Sequence, residues 1–215
     1  MFKKSIICLA NSRKLNARCI AGKDILDNKW IRPVSSFPTG ELSLEEIKYA
    51  DGSIPKLLDI IEISFESPLP KIGQPENILI KNMPWLKKGT FNKDEIDNLV
   101  DSPDILWTNT PHNDRVTSQI ESMAEIKNSL YFIKVEELKI KKTSSIRGRS
   151  QIRVIFNYNK FEYDLVITDL LVEREFENKQ EGSYTLHSNN IYLCISLGEE
   201  FQGYHYKLVA SILRV

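Results

Sequence analysis

No run of apolar residues in this 215-residue chain approaches the ~18 that a membrane-spanning helix needs. The N-terminal run at Ser5–Ala10 stops at Asn11-Ser12-Arg13-Lys14, short of the ~7–15 apolar residues of a secretory signal. It reads as a buried strand, and no membrane association is expected. Cysteine is scarce. Cys8, Cys19 and Cys194 are odd in number and lack any CxxC or Cys/His spacing, so they read as reduced thiols of a cytoplasmic protein. His112, His187 and His205 are too dispersed for the close ligand pairs that zinc sites favour, and neither a metal nor a cofactor is expected. The nine glycines are scattered, with no phosphate-cradling loop among them. HExxH, GxSxG, HxE…PCxxC and EF-hand patterns are all missing. No catalytic residue is assigned.

Net charge is missing too, with 29 basic and 29 acidic side chains, which excludes a uniformly basic coat and an acidic solvating tail. The zero is an average. Residues 3–32 carry eight basic and two acidic side chains, a local +6. Residues 139–153 carry Lys139, Lys141, Lys142, Arg147, Arg149 and Arg153 with no acid, again +6. The remaining background is therefore −12.

The periodic signals are mostly of period two. Strands are predicted over Ser5–Ala10, Ala17–Ala21, Trp30–Val34, Leu58–Phe65 and Asn77–Lys81 in the first half. In the second half they are predicted over Tyr131–Lys141, Gln151–Tyr158, Phe161–Thr168, Asn190–Ser196 and Tyr206–Val215. Short helices are predicted at Ser43–Tyr49, with Ser43 and Glu46 as a capping box, at Asn92–Val100, and at Asp114–Lys127 from Val116, Ile120, Met123 and Ile126. Helices of a dozen residues after most strands, which a parallel sheet requires, are not there. The pattern predicts a mainly β (α+β) chain of two small barrels, or a barrel and a sandwich, with short helical insertions. The boundaries read as an N-terminal β module over 1–88, a helical or irregular connector over 89–128, and a C-terminal β module over 129–215.

Four clusters carry candidate chemistry. Asn11, Ser12, Arg13 and Lys14, with Arg18 on the next strand, suit capture of a phosphate or carboxylate, or simply form a solvated hairpin loop. Trp30 and Arg32 lie two apart on one strand face, which suits base stacking with a clamp; core placement of Trp30 is the better reading. Arg147, Arg149 and Arg153 sit in a basic inter-strand stretch able to track a phosphate backbone. Asp114 and Arg115, with Tyr204, His205, Tyr206 and Lys207, suit a pocket; simple alternation would instead bury both tyrosines and leave His205 and Lys207 facing water. Phe156, Tyr158, Phe161 and Tyr163 are further stacking candidates. Any enzyme reading would have to draw on His205, Asp114 or Cys19.

Taken together, CLANSRK (Cys8–Lys14), RCIAG (Arg18–Gly22), WIRPVS (Trp30–Ser35), the Gly40–Ile63 stretch and the closing YLCISLGEEFQGYHYKLVASI (Tyr192–Ile212) resemble the dual OB-containing domain family. The resemblance implies two OB-like β-barrel modules and a setting in bacterial conflict or phage-defence neighbourhoods, with no established reaction. Its pattern maps onto Asn11, Ser12, Arg13, Arg18, Trp30, Arg32, Asp114, Arg115, Tyr206 and Lys207. Two expectations follow. One is a non-catalytic protein of a defence-type system that binds single-stranded DNA or RNA. The other is a ligand-sensing or protein-interaction subunit of a defence complex, binding a nucleotide-like anion or an operon partner.

Overall fold

The computed structural model describes residues 1–109, 112–119, 123–144 and 150–215, with the side chains of His187 and Asn189 set aside. They fall into two compact units, residues 1–100 with 127–129, and residues 101–126 with 130–215. The stretch 89–128, expected as a connector, is divided between them.

The first unit is built from β1 (Phe2–Lys14), β2 (Ala17–Asp24), β3 (Trp30–Val34), β4 (Asp59–Pro68) and β5 (Asn77–Ile80). Neighbours run β1-β2-β3-β5-β4, and β4 pairs back with β1 to close the ring. The β3–β5 pairing is parallel and the others are antiparallel. β6 (Leu86–Thr90) adds to β4. Its sequence, LKKGT, is polar and mostly exposed, as suits an edge strand protected by lysines, and carries no apolar alternation to betray it. Between β3 and β4 lies α1 (Leu44–Ile47), which begins in the expected capping box: the Glu46 N–H donates to Ser43 Oγ (3.2 Å) and the Ser43 N–H to Glu46 Oε2 (2.8 Å). Ile6, Cys8, Ile20, Ile31, Leu42, Ile61, Ile63, Phe65 and Trp85 fill the interior.

The second unit repeats that plan. β8 (Leu130–Ser144), β9 (Ser150–Tyr158), β10 (Phe161–Ile167), β11 (Gly182–Phe201) and β12 (Tyr204–Arg214) run β10-β9-β8-β11-β12, and β10 pairs with β12 to close the ring. Counted from its own first strand, each ring has the order 1-2-3-5-4, with the third and fifth strands parallel and a helix between the third and fourth. This is the five-stranded architecture of two OB-like barrels in a mainly β chain. The helix of this unit, α2 (Leu170–Phe176), gives no clear sequence signal. Asp169 caps its start, accepting from the N–H groups of Leu171 (2.8 Å) and Val172 (3.4 Å). At its other end the buried Lys142 ammonium donates to the carbonyls of Phe176, Glu177 and Lys179 at 2.7–2.9 Å. One cation of the basic 139–153 segment is thus an internal helix cap.

One expected element is wrong. Residues 114–127 do not form a continuous helix, because Arg115–Thr117 is β7, paired antiparallel with β12 through Thr117–Tyr204 and Arg115–Tyr206. Val116 points inward to meet Met123 and Leu197, while Arg115 and Thr117 take the other side. A period of two over three residues is hidden under an apolar spacing that also fits a helix. Ile120 lies outside the described residues. Among the described residues no helix is long and apolar enough to cross a membrane.

Candidate nucleic-acid interface

Strand register on the second barrel aligns side chains from distant parts of the sequence. Lys141 on β8 stands opposite Arg153 on β9, Arg153 opposite Val166 on β10, and Val166 opposite Leu208 on β12. Because alternate residues share a face, Ile152, Val154, Leu165 and Ile167 go inward and this row goes outward. Two residues before Leu208, Tyr206 pairs with Arg115 on β7. An open groove of about 340 Å³ results, lined by Asp114, Arg115, Gln151, Arg153, Val166, Phe201, Tyr206, Lys207 and Leu208.

The groove combines two guanidinium groups with an aromatic row. Phe201, 60% exposed, lies 6.4 Å from Tyr206 between ring centroids, Tyr206 lies 6.5 Å from Tyr204, and Tyr204 lies 6.5 Å from His112. Arg115 sits 4.8 Å from the Tyr206 ring and 5.4 Å from the Tyr204 ring. Its Nε and Nη2 donate to the Asp114 carboxylate at 2.8 and 3.0 Å, and its Nη1 donates to the Tyr206 hydroxyl at 3.2 Å. Partial burial works against the Asp114 charge, but the Arg115 hydrogen bonds and charge outweigh it and hold that carboxyl below its usual range. Arg153 donates from Nε to Asp164 Oδ1 and from Nη2 to the Asp164 carbonyl, both at 2.5 Å, and its Nη1 has no partner among the described residues. Lys139 and Lys141 are exposed beside it and make no ion pair among the described residues.

Lys207 faces inward and is 1% exposed. Its Nζ donates to the Thr108 carbonyl (2.8 Å) and Asn109 Oδ1 (2.7 Å) and lies 5.3 Å from the Tyr163 ring centroid. Of the two readings open for this strand, the one with buried tyrosines does not hold: Tyr204 and Tyr206 are on the outer side and Lys207 is inside. This arrangement is tolerated because the buried ammonium has acceptors waiting for it. Desolvation pushes its pKa down to about 7, with the Asp114 charge opposing. The folded protein therefore releases this proton near pH 7, whereas an unfolded lysine holds it to about 10.4. Between those values the unfolded chain carries the extra proton, so this group makes stability rise with pH, by at most about 1.4 kcal/mol per pH unit. Urea melts from pH 7 to 9.5 should show that rise in the wild type and a flatter profile in Lys207→Met; equal slopes would contradict it.

His205 holds its Nδ1 2.8 Å from the Gly198 carbonyl, and since a carbonyl only accepts, Nδ1 carries the proton. The hydrogen bonds of His205 and Asp114 among the described residues go to a carbonyl and to a guanidinium. Among the described residues no three His, Cys, Asp or Glu side chains gather as a metal site.

The other sequence candidates are placed elsewhere. Trp30 and Arg32 are 7% and 3% exposed, buried on the face of β3 opposite Ile31 and the barrel interior. Arg32 Nη2 lies 3.3 Å from the equally buried Glu76 Oε1 and donates to Ser129 Oγ at 2.8 Å, so its charge is answered inside the fold. Arg13 and Arg18 face each other across the β1–β2 hairpin. Near them Asn11 Nδ2 donates to the Pro55 carbonyl (2.8 Å), Lys14 to the Thr39 carbonyl, and Ser12 is buried. Phe156 and Tyr163 are core residues, stacked at 5.4 Å, while Tyr158 and Phe161 pack against the same core but stay partly exposed, away from this groove. Arg147 and Arg149 lie outside the described residues. The groove thus unites Asp114, Arg115, Arg153 and Tyr206, while Lys207 borders it with its ammonium turned inward. Sequence reasoning missed Phe201, Gln151 and the counterion Asp164; the exposed aromatic just before the Gln202-Gly203 turn was the signal for the first.

Compared with known proteins, the chain resembles two solved structures over its whole length. One, titled "Crystal structure of p204 HINb domain", is 14% identical over 97% of this chain and 96% of that one, with a TM-score of 0.36. The other, "Crystal structure of the tetrameric p202 HIN2", is 10% identical over 100% and 92%, also with a TM-score of 0.36. No curated protein matches. The family model described as "Dual OB-containing domain" matches residues 4–212, which span both barrels. The chain belongs to the dual OB-containing domain family.

Proposed function

We propose that this protein binds single-stranded nucleic acid, without catalysis, through the outer groove of its second barrel. The observation that carries the reading is the convergence of Arg153, Arg115, Tyr206 and the exposed Phe201 in one open groove on an OB-like barrel. Cations that follow a backbone, interleaved with rings on which bases stack, are what sequence-tolerant single-strand binding needs. The groove borders the third strand of its barrel and the turn between the fourth and fifth, elements that OB-folds use for oligonucleotides and oligosaccharides. Cytoplasmic placement rests on three cysteines that form no disulfide, and a role in a bacterial defence-type system rests on the family resemblance alone.

Fluorescence anisotropy with a labelled single-stranded oligonucleotide at two salt concentrations tests the reading. Tyr206→Ala removes a stacking ring worth about 1–3 kcal/mol, a loss of roughly 5- to 150-fold in affinity. Binding that Tyr206→Ala leaves unchanged, or no binding at low salt, refutes the proposal. A second reading, a nucleotide-like anion as a sensed ligand, is favoured by the groove's volume of about 340 Å³, which suits a single nucleotide. A mononucleotide that displaces the oligonucleotide at micromolar concentration would favour that reading.

A further inference from the structure

Both arginines of the groove have a carboxylate partner, and they differ in what that partner leaves open. Arg153 is held by Asp164 through Nε and Nη2, has no partner on Nη1 among the described residues, and stands beside the exposed Lys141. Arg115 is locked edge-on: Asp114 takes Nε and Nη2, the Tyr206 hydroxyl takes Nη1, and two tyrosine rings lie within 5.4 Å of its Cζ. A phosphate brought to Arg115 would also meet the Asp114 carboxylate, a like charge within the same contact. The pair presents almost no net charge to a counterion. It does present a planar, preoriented guanidinium inside a row of rings, and unstacked bases lie on such planes as readily as on aromatic ones.

We propose that Arg115 is a base-stacking platform and Arg153 the phosphate contact, so that the groove takes a strand whose base, and not only its backbone, enters beside Tyr206. This rests on the nucleic-acid reading and divides its labour. Asp114 is the positioning residue: it keeps Arg115 flat and cancels its charge.

The test uses full-length protein, a labelled single strand, and a strand of equal length whose central sugars are abasic, each titrated over a series of salt concentrations. The paired replacement Arg115→Ala with Asp114→Ala, which removes plane and carboxylate together and leaves the local charge unchanged, should weaken the base-bearing strand about tenfold, leave the salt slope unchanged, and have little effect on the abasic strand. Arg115→Lys, which keeps the charge beside Asp114 but loses the plane, should be as weak as that pair. Arg153→Ala should weaken both strands and lower the slope by about 0.7, the share of one single-strand phosphate contact. Asp114→Asn, which removes the competing carboxylate, should steepen the slope by about the same amount. If the pair Arg115→Ala with Asp114→Ala lowers the slope and weakens both strands alike, or if Arg115→Lys restores affinity, Arg115 is a phosphate contact and the inference is wrong. Failure of the wild type to bind either strand at low salt would instead take away the underlying reading. Thermal melting of each variant separates loss of fold from loss of contact.

Discussion

Replacing Glu76 with alanine lowers the stability of the chain by about 3–5 kcal/mol, the range for breaking a buried ion pair from one side. Glu76 and Arg32 are each 3% exposed, with Nη2 3.3 Å from Oε1. The Ser129 hydroxyl donates to the same Oε1, the Ser129 N–H donates to Oε2 at 3.3 Å, and the Arg32 N–H donates to the Glu76 carbonyl at 3.0 Å. Truncating the carboxylate removes the opposite charge 3.3 Å from a desolvated guanidinium, which costs more than the pair contributes when intact. The paired replacement Arg32→Met with Glu76→Leu should recover most of the loss, because no charge is then buried. Urea denaturation measures both. A loss below about 1 kcal/mol for Glu76→Ala would show that the charge is answered elsewhere. The same argument explains why a tryptophan and an arginine two apart on β3 are not an open ligand face: both side chains are buried, on the side of β3 opposite Ile31.

Gly22→Ala should be the other severe change, costing about 3 kcal/mol or more, beyond the usual overpacking range because the obstacle is backbone. A Cβ at Gly22 would lie 2.2 Å from the Ile7 carbonyl oxygen and 2.9 Å from its carbon. β2 pairs with β1 here, Gly22 opposite Cys8, just before a register shift between Cys8 and Ala10. The strands approach too closely for any side chain. Relief would require β1 to move, and β1 also closes the ring through β4. Circular dichroism melts should show a Tm lowered by ten degrees or more, at about 4–8 °C per kcal/mol for a domain of this size. An unchanged Tm would mean that the β1–β2 register is not as described. Gly22 closes the RCIAG segment, which gives one element of that pattern a steric cause.

The strands of the two barrels were legible wherever one face is buried and the other wet. Trp30–Val34 is reproduced at both ends, and Gln151–Tyr158 and Phe161–Thr168 to within a residue. β1 and β11 extend far beyond their apolar cores because main-chain pairing continues into polar sequence: β1 runs on to Lys14 opposite Ala17, and β11 starts at Gly182 opposite Lys142. Neither end has a side-chain period to announce it. The short α2 was hidden for a related reason, since its stabilising partners, Lys142 and the Ile212 N–H on the second Asp169 oxygen, are remote in sequence. Site residues divided the same way. Types and counts of cations were visible, but which ones face water is decided by register and counterions: Lys142 and Arg32 are internal, Arg153 and Lys141 external. The pairing of Arg115 with Tyr206, 91 positions away, follows only from β7 joining the edge of β12.

The central claim, that the second barrel's outer groove receives a single strand, is tested most directly by titrating isotope-labelled protein with an unlabelled oligonucleotide and following side-chain and amide resonances by NMR. The account predicts saturable shifts concentrated on Arg115, Gln151, Arg153, Phe201 and Tyr206, with the Arg153 guanidinium signals moving most at low salt. Saturable binding whose shifts leave those five residues still and gather elsewhere on either barrel would contradict it.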